Sequence, residues 1–440
     1  MSLAAITAKL RRSTKNLWRS RFVRSVAVVA GGTAGAQAIT MAFAPVITRL
    51  YGPEEYGVLG TFMAMLSVAA PVAALAYPIA VVLPRRDEEA LGLLSLSAYI
   101  SIFIAALVAV ALWLGGDVVI ALLGIETVGN LIYLLPVAML FAAWLQMAQQ
   151  WLIRKKEFGV IARSAIAHSG VLNGAKALAG LAHPVAAVLI VVATLGNAVY
   201  AGLMIIGIRR RTTIDRSETS EGREPSVTEL ARRHRDFPLY RAPQNTINAA
   251  SQGLPVLLLA AFFGPASAGF YALAKSVAAL PVFLLGKSVN DVFYPRINEA
   301  VRDGEKASAL ILKATVGLGA LGLLPMSVLM VGGGAMFEWV FGEGWAPAGN
   351  YAQWLALWLL AALMNKPSVS AIPVFGRQRW FLAYEVVGII ARVAALAAGF
   401  LLFESDVMAV ALFSLVGVVL NIYLILDTVR FCQSIECKSA

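Results

Sequence analysis

Runs of about twenty apolar residues recur along this chain from one end to the other, and a hydrocarbon layer about 30 Å thick selects helices of that length. Twelve such windows can be drawn. The first six are Ser25–Thr48, Tyr56–Leu83, Leu91–Leu114, Leu131–Ile153, Ile161–Leu181 and Pro184–Ile208. After a polar stretch come Phe237–Phe262, Ala266–Phe293, Ala309–Val331, Tyr351–Ile372, Phe381–Phe403 and Val407–Phe431. The fifth, with Arg163, His168, Asn173 and Lys176, has the weakest signal, and Asp117–Gly124 is too short to cross and is expected at the surface. Only 14% of the 440 residues are charged and 59% are hydrophobic, whereas a soluble domain carries about 25% charge. A soluble enzyme, a disordered chain and a secreted disulfide scaffold are excluded. The expected fold class is an all-α polytopic membrane protein of about twelve transmembrane helices.

The distribution of cations tests this topology, because Lys and Arg concentrate in cytoplasmic loops. With both termini cytoplasmic, the inner segments hold 28 Lys/Arg and the outer loops hold one, Arg49, beside eight acidic residues from Glu54 to Asp406. The net charge of +11 therefore orients helices and meets anionic headgroups; it does not mark a nucleic-acid binder. The basic N-terminus is read as preceding a retained first span and not a cleaved signal. The only cysteines, Cys432 and Cys437, build no disulfide framework, and the three histidines, His168, His183 and His234, lack zinc-site spacing.

A duplication is visible. The chain reads Tyr51-Gly52-Pro53-Glu54-Glu55-Tyr56-Gly57 and, 212 residues later, Phe263-Gly264-Pro265-Ala266-Ser267-Ala268-Gly269. Each copy lies between an odd span and the next, with an even number of spans between copies, so the halves are expected to run parallel; the competing reading is ordinary Gly-Pro turn chemistry. The expected organisation is a basic arm (residues 1–24), an N-lobe (25–208), a charged cytoplasmic linker (209–236), a C-lobe (237–431) and a tail (432–440).

Seven cations fall inside spans: Lys176, Arg241, Lys275, Lys287, Lys313, Lys366 and Arg392. Each costs a few kcal/mol at the membrane centre, so such residues face a bundle interior or a watery cavity, or else snorkel to the headgroups. Snorkelling suits Lys313, one turn into its helix. The seventh window carries the clearest pattern: Arg241, Gln244, Asn245, Asn248, Ser251 and Gln252 fall within an arc of about 120°, opposite Ala249, Ala250, Leu254, Val256 and Leu257. Its counterpart in the first window, Thr33, Gln37, Thr40 and Thr48, is milder. Such stripes either line a water-filled path or join helices by hydrogen bonds; the longer one favours the path. Acids are few: Glu385, with Asp291 and Asp427 near cytoplasmic ends. Glu385, and Asp291 with it, are candidates for a coupling ion (Na+ or H+) or for counter-charges to nearby cations. Glu385 and Arg392, about 10 Å apart along one helix face, are too distant to bond directly.

No catalytic or nucleotide-binding motif is present: no GxSxG, no P-loop, no HExxH. Gly332-Gly333-Gly334 is expected to be a hinge or loop. The chain reads as a transporter with no enzymatic activity and no bound cofactor.

Several segments resemble the polysaccharide biosynthesis (Wzx-type) lipid-linked oligosaccharide flippases of the multidrug/oligosaccharidyl-lipid/polysaccharide (MOP) exporter superfamily. They are "TRLYGPEEYGVLGTF" (48–62), "AVVLPRRDEEALGLLSLS" (80–97), "QQWLIRKKEF" (149–158), "HRDFPLYRAPQNTINAASQGLPVLLLAAFFGPASAGFYALA" (234–274) and "PVFLLGKSVNDVFYPRINEA" (281–300). The resemblance implies a MATE-like fold of two six-helix lobes around a central cavity, in a bacterial inner membrane. It also implies a polyprenyl-pyrophosphate-linked oligosaccharide, an O-antigen or exopolysaccharide repeat unit, as cargo, with a polysaccharide polymerase and export machinery as partners. On that basis Arg241, Lys275, Lys176, Lys366 and Arg392 are the candidates to neutralise pyrophosphate. Gln244, Asn245, Asn248, Ser251 and Gln252 are the candidates to meet sugar. Two alternatives stay open: an ion-coupled multidrug exporter of the same superfamily, whose cationic substrates a net-positive interior would repel, and a membrane glycosyltransferase or polymerase. The lipid II flippase, another relative, usually has fourteen spans.

Overall fold

A computed structural model describes residues 21–209, 226–303 and 305–439; the side chains of 21–26, 123, 209, 284–292, 294, 295 and 437–439 lie outside the description. The candidate Asp291 and its neighbour Lys287 are therefore outside the described side chains, as are the basic arm and much of the linker. All secondary structure among the described residues is helical. The elements are α1 (Arg21–Leu50), α2 (Pro53–Ala73), α3 (Tyr77–Ala80), α4 (Asp87–Leu123), α5 (Leu135–Arg154), α6 (Phe158–Ala182), α7 (Ala186–Arg209) and α8 (Val227–Arg233). They continue with α9 (Ala242–Phe263), α10 (Pro265–Arg302), α11 (Ala307–Phe341), α12 (Ala346–Met364), α13 (Lys366–Ala371), α14 (Gln378–Phe403) and α15 (Asp406–Ser439). Among the described residues ten helical segments are long and apolar enough to cross a membrane. The fifth and tenth windows fall on α6 and α12, which are less apolar and are not among those ten.

Two compact units divide the chain. The first holds Met1–Leu50, Met65–Leu122 and Val128–Ala250; the second holds Tyr51–Ala64, Leu123–Thr127 and Ser251–Ala440.

In the first unit α6 packs along α1 and α7, and α5 packs on α7. The α1–α6 seam combines close approach with hydrogen bonds, as membrane helices do when no hydrophobic drive separates helix from lipid. A β-carbon on Gly32 would collide with Ala162, and Thr40 Oγ1 lies 2.8 Å from Ser169 Oγ, which also bonds the Ala36 carbonyl at 2.7 Å. Asn173 Nδ2 donates to Thr40 at 3.2 Å. Thr33 and Thr48 bond carbonyls of their own helix. Joining helices is thus the role of Thr40 in the milder stripe.

Asp117–Gly124 follows a kink at one non-helical residue, Gly115 (φ −143°, ψ 21°), with Val118 and Leu122 exposed beyond it; a glycine pair tolerates such a kink. One sequence expectation is corrected here: Tyr56–Leu83 is not one helix. α2 ends at Ala73, and Leu75 and Ala76 adopt left-handed φ of 48° and 59° before α3. Short α8 is capped by Ser226, whose hydroxyl accepts from Glu229 N at 3.3 Å. It inserts Leu230 among Tyr77, Ala80, Leu93 and Leu96, and Tyr77 OH donates to the Ala231 carbonyl at 3.1 Å. His234 follows, its Nε2 buried without a hydrogen-bond partner among the described residues. Burial first, and then the Arg233 charge, hold its pKa below the ordinary 6.5 against the opposite pull of Glu89.

In the second unit α12 is the central helix, packed on α11, α10 and α15. Trp345, Tyr351 and Phe337 are fully buried, with Tyr56 and Phe270 edge-on to Trp345 at 5.5 and 6.0 Å. The glycine triplet is helical, inside α11, and not a hinge: β-carbons on Gly333 and Gly349 would each strike the other's backbone, so these glycines let α11 and α12 touch. The duplicated motif has a structural meaning of the same kind. Pro53 and Pro265 occupy first helical positions, where their missing N–H costs nothing. A β-carbon on Gly57 would collide with the Pro265 carbonyl, and one on Gly269 with the Pro53 carbonyl. The two copies cross each other, each supplying the glycine that accommodates the other's first turn. The tenth window is broken at Asn365, between α12 and α13, where Asn365 Nδ2 donates to Asn421 Oδ1 at 2.8 Å.

Candidate functional site

The cations expected inside spans do not all behave alike. On α10, Lys275 is half-buried one turn beyond Tyr271, which is wholly buried, its hydroxyl without a hydrogen-bond partner among the described residues. The Lys275 ammonium donates to the Gln252 carbonyl at 3.0 Å and to Gln252 Oε1 at 3.3 Å, and lies 5.8 Å from the Tyr271 ring centroid. On α14, Arg392 is half-buried, donates from Nε to the Gly388 carbonyl at 3.0 Å, and stands 6.0 Å from the Trp358 ring of α12. Trp358 fits where Gly417 of α15 carries no side chain. The Arg392 charge is near enough to act on both Lys275 and Tyr271. Among the described residues neither has a carboxylate within ion-pair distance.

Two half-buried cations on separate helices, each held by a carbonyl and an aromatic face, leave charge to be met by an anion, and the cation–π contacts contribute ~1 kcal/mol each at such distances. The arrangement is suited to a di-anionic group, because Lys supplies a movable point charge and Arg a planar fork of donors.

Glu385, one turn before Gly388 on the same helix, is half-buried and makes no salt bridge among the described residues. Its neighbour Tyr384 donates to the Leu420 carbonyl at 2.7 Å and stacks between Trp380 (5.7 Å) and Tyr423 (6.4 Å). Lys366 begins α13 beside Asn365 and makes no ion pair among the described residues. Asp427, in contrast, is structural: Arg377 Nη1 bonds its Oδ2 at 2.5 Å, and the guanidinium lies 4.0 Å from the Trp380 ring and 4.3 Å from that of Phe431.

The remaining candidates lie elsewhere. Lys176 is half-buried on α6 and its charge acts on His168, which stacks on Tyr200 at 4.5 Å. Arg241 does not continue the α9 spiral. Phe237–Arg241 forms a wider π turn, and Arg241 Nη1 reaches Gln244 Oε1 at 3.0 Å. In the long stripe Gln244, Asn248 and Gln252 are exposed and Asn245 and Ser251 half-buried; of the residues expected opposite, Val256 is buried and Ala249, Ala250, Leu254 and Leu257 are half-buried. Sequence reasoning missed Tyr271 and Trp358; the spacing of four between Tyr271 and Lys275 puts both on one helix face and was the available signal.

A sequence model of the polysaccharide biosynthesis protein family matches residues 46–350. No curated protein sequence matches the chain. A structure described as the inward-facing conformation of a multidrug resistance MATE family transporter of the MOP superfamily superposes with a TM-score of 0.73 at 12% identity, covering 92% of this chain and 96% of that one. The lipid II flippase MurJ in an inward closed conformation gives 0.70 at 11%, covering 90% and 86%. A MATE transporter of Vibrio cholerae gives 0.55 at 15%, covering 96% and 98%. At such identities the likeness is one of fold. With most of its length matched by the family's own sequence pattern, the chain belongs to the polysaccharide biosynthesis protein family and is a multi-pass membrane protein with the fold of MOP-superfamily transporters.

Proposed function

We propose that this protein moves a polyprenyl-pyrophosphate-linked oligosaccharide from the cytoplasmic to the periplasmic leaflet of a bacterial inner membrane, by alternating access. In this reading twelve helices cross the membrane, both termini are cytoplasmic, and residues 25–208 and 237–431 are the two lobes. The observation that carries it is the presence of Lys275 and Arg392, two half-buried cations of one unit, neither with a carboxylate within ion-pair distance among the described residues. A pyrophosphate leaving water needs fixed cations and donors, and this pair supplies both. Gln244, Asn248 and Gln252, exposed on α9, offer amide partners for sugar hydroxyls, while a prenyl tail stays in lipid. Arg241, Lys176 and Lys366 are secondary cations for the same head group, and Glu385 is the residue to bind a coupling Na+ or H+. A cationic drug as cargo is disfavoured by the same like-charge pair. A polymerase and export machinery would take up the delivered repeat units.

Deletion of the gene followed by lipid extraction tests the class of function. Full-length lipid-linked repeat units accumulating on the cytoplasmic side support a flippase, whereas units lacking a sugar point to a transferase. The site is tested by the double variant Lys275→Gln, Arg392→Gln. Losing charge-assisted bonds of about 1.5–3 kcal/mol each is expected to cut transport at least tenfold while the protein remains inserted. Unchanged export would sink the assignment.

A further inference from the structure

We propose that the first unit binds one anionic membrane phospholipid in a groove formed by α4, α5 and α7, separate from the cargo path. The groove has a volume of about 560 Å³ and is lined almost wholly by apolar side chains. Its origin is geometric: α5 packs closely on α7 while α4 approaches neither as closely, and the small residues Ala201 and Gly202 of α7 do not fill the gap. Met147 and Ala201 form a buried floor, and Ser95 of α4 and Trp144 of α5 stand exposed at the rim. From Trp144 to Trp151 the groove follows two turns of α5, ~10 Å, which is room for part of one acyl chain.

The end of the groove identifies the head group. Trp151 lies in the last turn of α5, and the Lys155 ammonium stands 5.2 Å from its ring. Arg154 and Lys155 share a single carboxylate, Asp87, so this trio keeps one positive charge. Arg154 is fixed by the Val81 and Pro84 carbonyls at 3.1 and 2.6 Å and its side chain is only 9% exposed, whereas the Lys155 side chain is 32% exposed. An amphiphile with one chain along Trp144–Trp151 would therefore bring its phosphate to Lys155. Basic pockets between transmembrane helices on the cytoplasmic side recognise anionic headgroups in this way. Host lipid is favoured over cargo because none of Arg241, Lys275, Lys366 or Arg392 lines the groove and no residue of the second unit does.

The test uses the full-length protein purified in mild detergent and titrated with phosphatidylglycerol or phosphatidylcholine of identical chains. Thermal unfolding and lipid retained in native mass spectrometry are read out. One cation near the surface corresponds to about 1 kcal/mol, hence a roughly fivefold preference for phosphatidylglycerol. Lys155→Gln is expected to abolish the preference with the fold intact, and Ala201→Phe, which fills the groove, to abolish retention of either lipid. Equal retention of both lipids by the unsubstituted protein would overturn the proposal. So would undiminished phosphatidylglycerol binding in Ala201→Phe, or, should that variant not fold, an unaltered preference in Lys155→Gln. Stronger retention of a polyprenyl phosphate than of phosphatidylglycerol would assign the groove to the cargo's tail instead.

Discussion

Lys275, Arg392 and Arg377 show how cationic side chains of one unit take different roles. Arg377 has an acid, Asp427, and two aromatic faces, so its charge is already matched. Arg377→Gln leaves Asp427 without its cation and removes both ring contacts. The expected cost is on the order of 1–2 kcal/mol, discounted because both side chains keep some exposure, read as a lower midpoint in thermal unfolding without a selective loss of transport. Lys275→Gln and Arg392→Gln should do the opposite. Relief of like-charge repulsion leaves stability unchanged or slightly raised, while transport falls. Paired stability and transport measurements on the three single variants separate the two roles. The sequence listed Lys275 and Arg392 among seven intramembrane cations but could not say what each one touches, because that depends on which way its helix face turns. Hydropathy reports the depth of a residue and carries little about its azimuth.

At the level of elements, the apolar windows located helices well and their interruptions badly. The kink at Gly115, the left-handed pair Leu75-Ala76 and the break at Asn365 lie in or beside long apolar runs, where composition hardly changes. One helix that is not among the apolar ten is informative in the other direction: α12 packs on α10, α11 and α15, so its surface meets protein and needs less hydrocarbon character than a helix facing lipid. The glycine triplet was misread for a related reason, since three glycines signal a loop in water but a contact surface between membrane helices. Outside the membrane, α8 provides a pH-dependent element. His234 has a folded-state pKa below its unfolded value, so the unfolded state binds more protons. Its contribution to docking α8 is complete above the ordinary 6.5 and is lost as pH falls through the lower folded value. Hydrogen exchange of Val227–Arg233 is expected to accelerate between pH 7 and pH 5. Replacing His234 with Leu should flatten that profile.

For the molecule as a whole, the cations that dominate the composition follow one rule. The 28 to 1 distribution of Lys/Arg between alternate loops predicts that cysteines placed at Glu126 and Glu343 react with a membrane-impermeant maleimide in intact cells. Cysteines at Arg85 and Arg379 should react only after permeabilisation, and labelling of all four from one side would refute the topology. The duplicated Gly-Pro motif was also legible, as a repeat at a separation of 212 residues, but its purpose was not, since a periodicity in sequence says nothing of what touches what. The crossing of Gly57 and Gly269 on each other's proline carbonyls makes the repeat self-complementary, the property by which identical subunits recognise one another across a two-fold axis. Here both partners belong to a single polypeptide, so a change at one address is felt at the other. Gly57→Ala and Gly269→Ala should each destabilise by about 1–3 kcal/mol through overpacking. Because either methyl forces the same separation, the double variant should lose less than the two single losses together. The pair is inherited as one contact written twice.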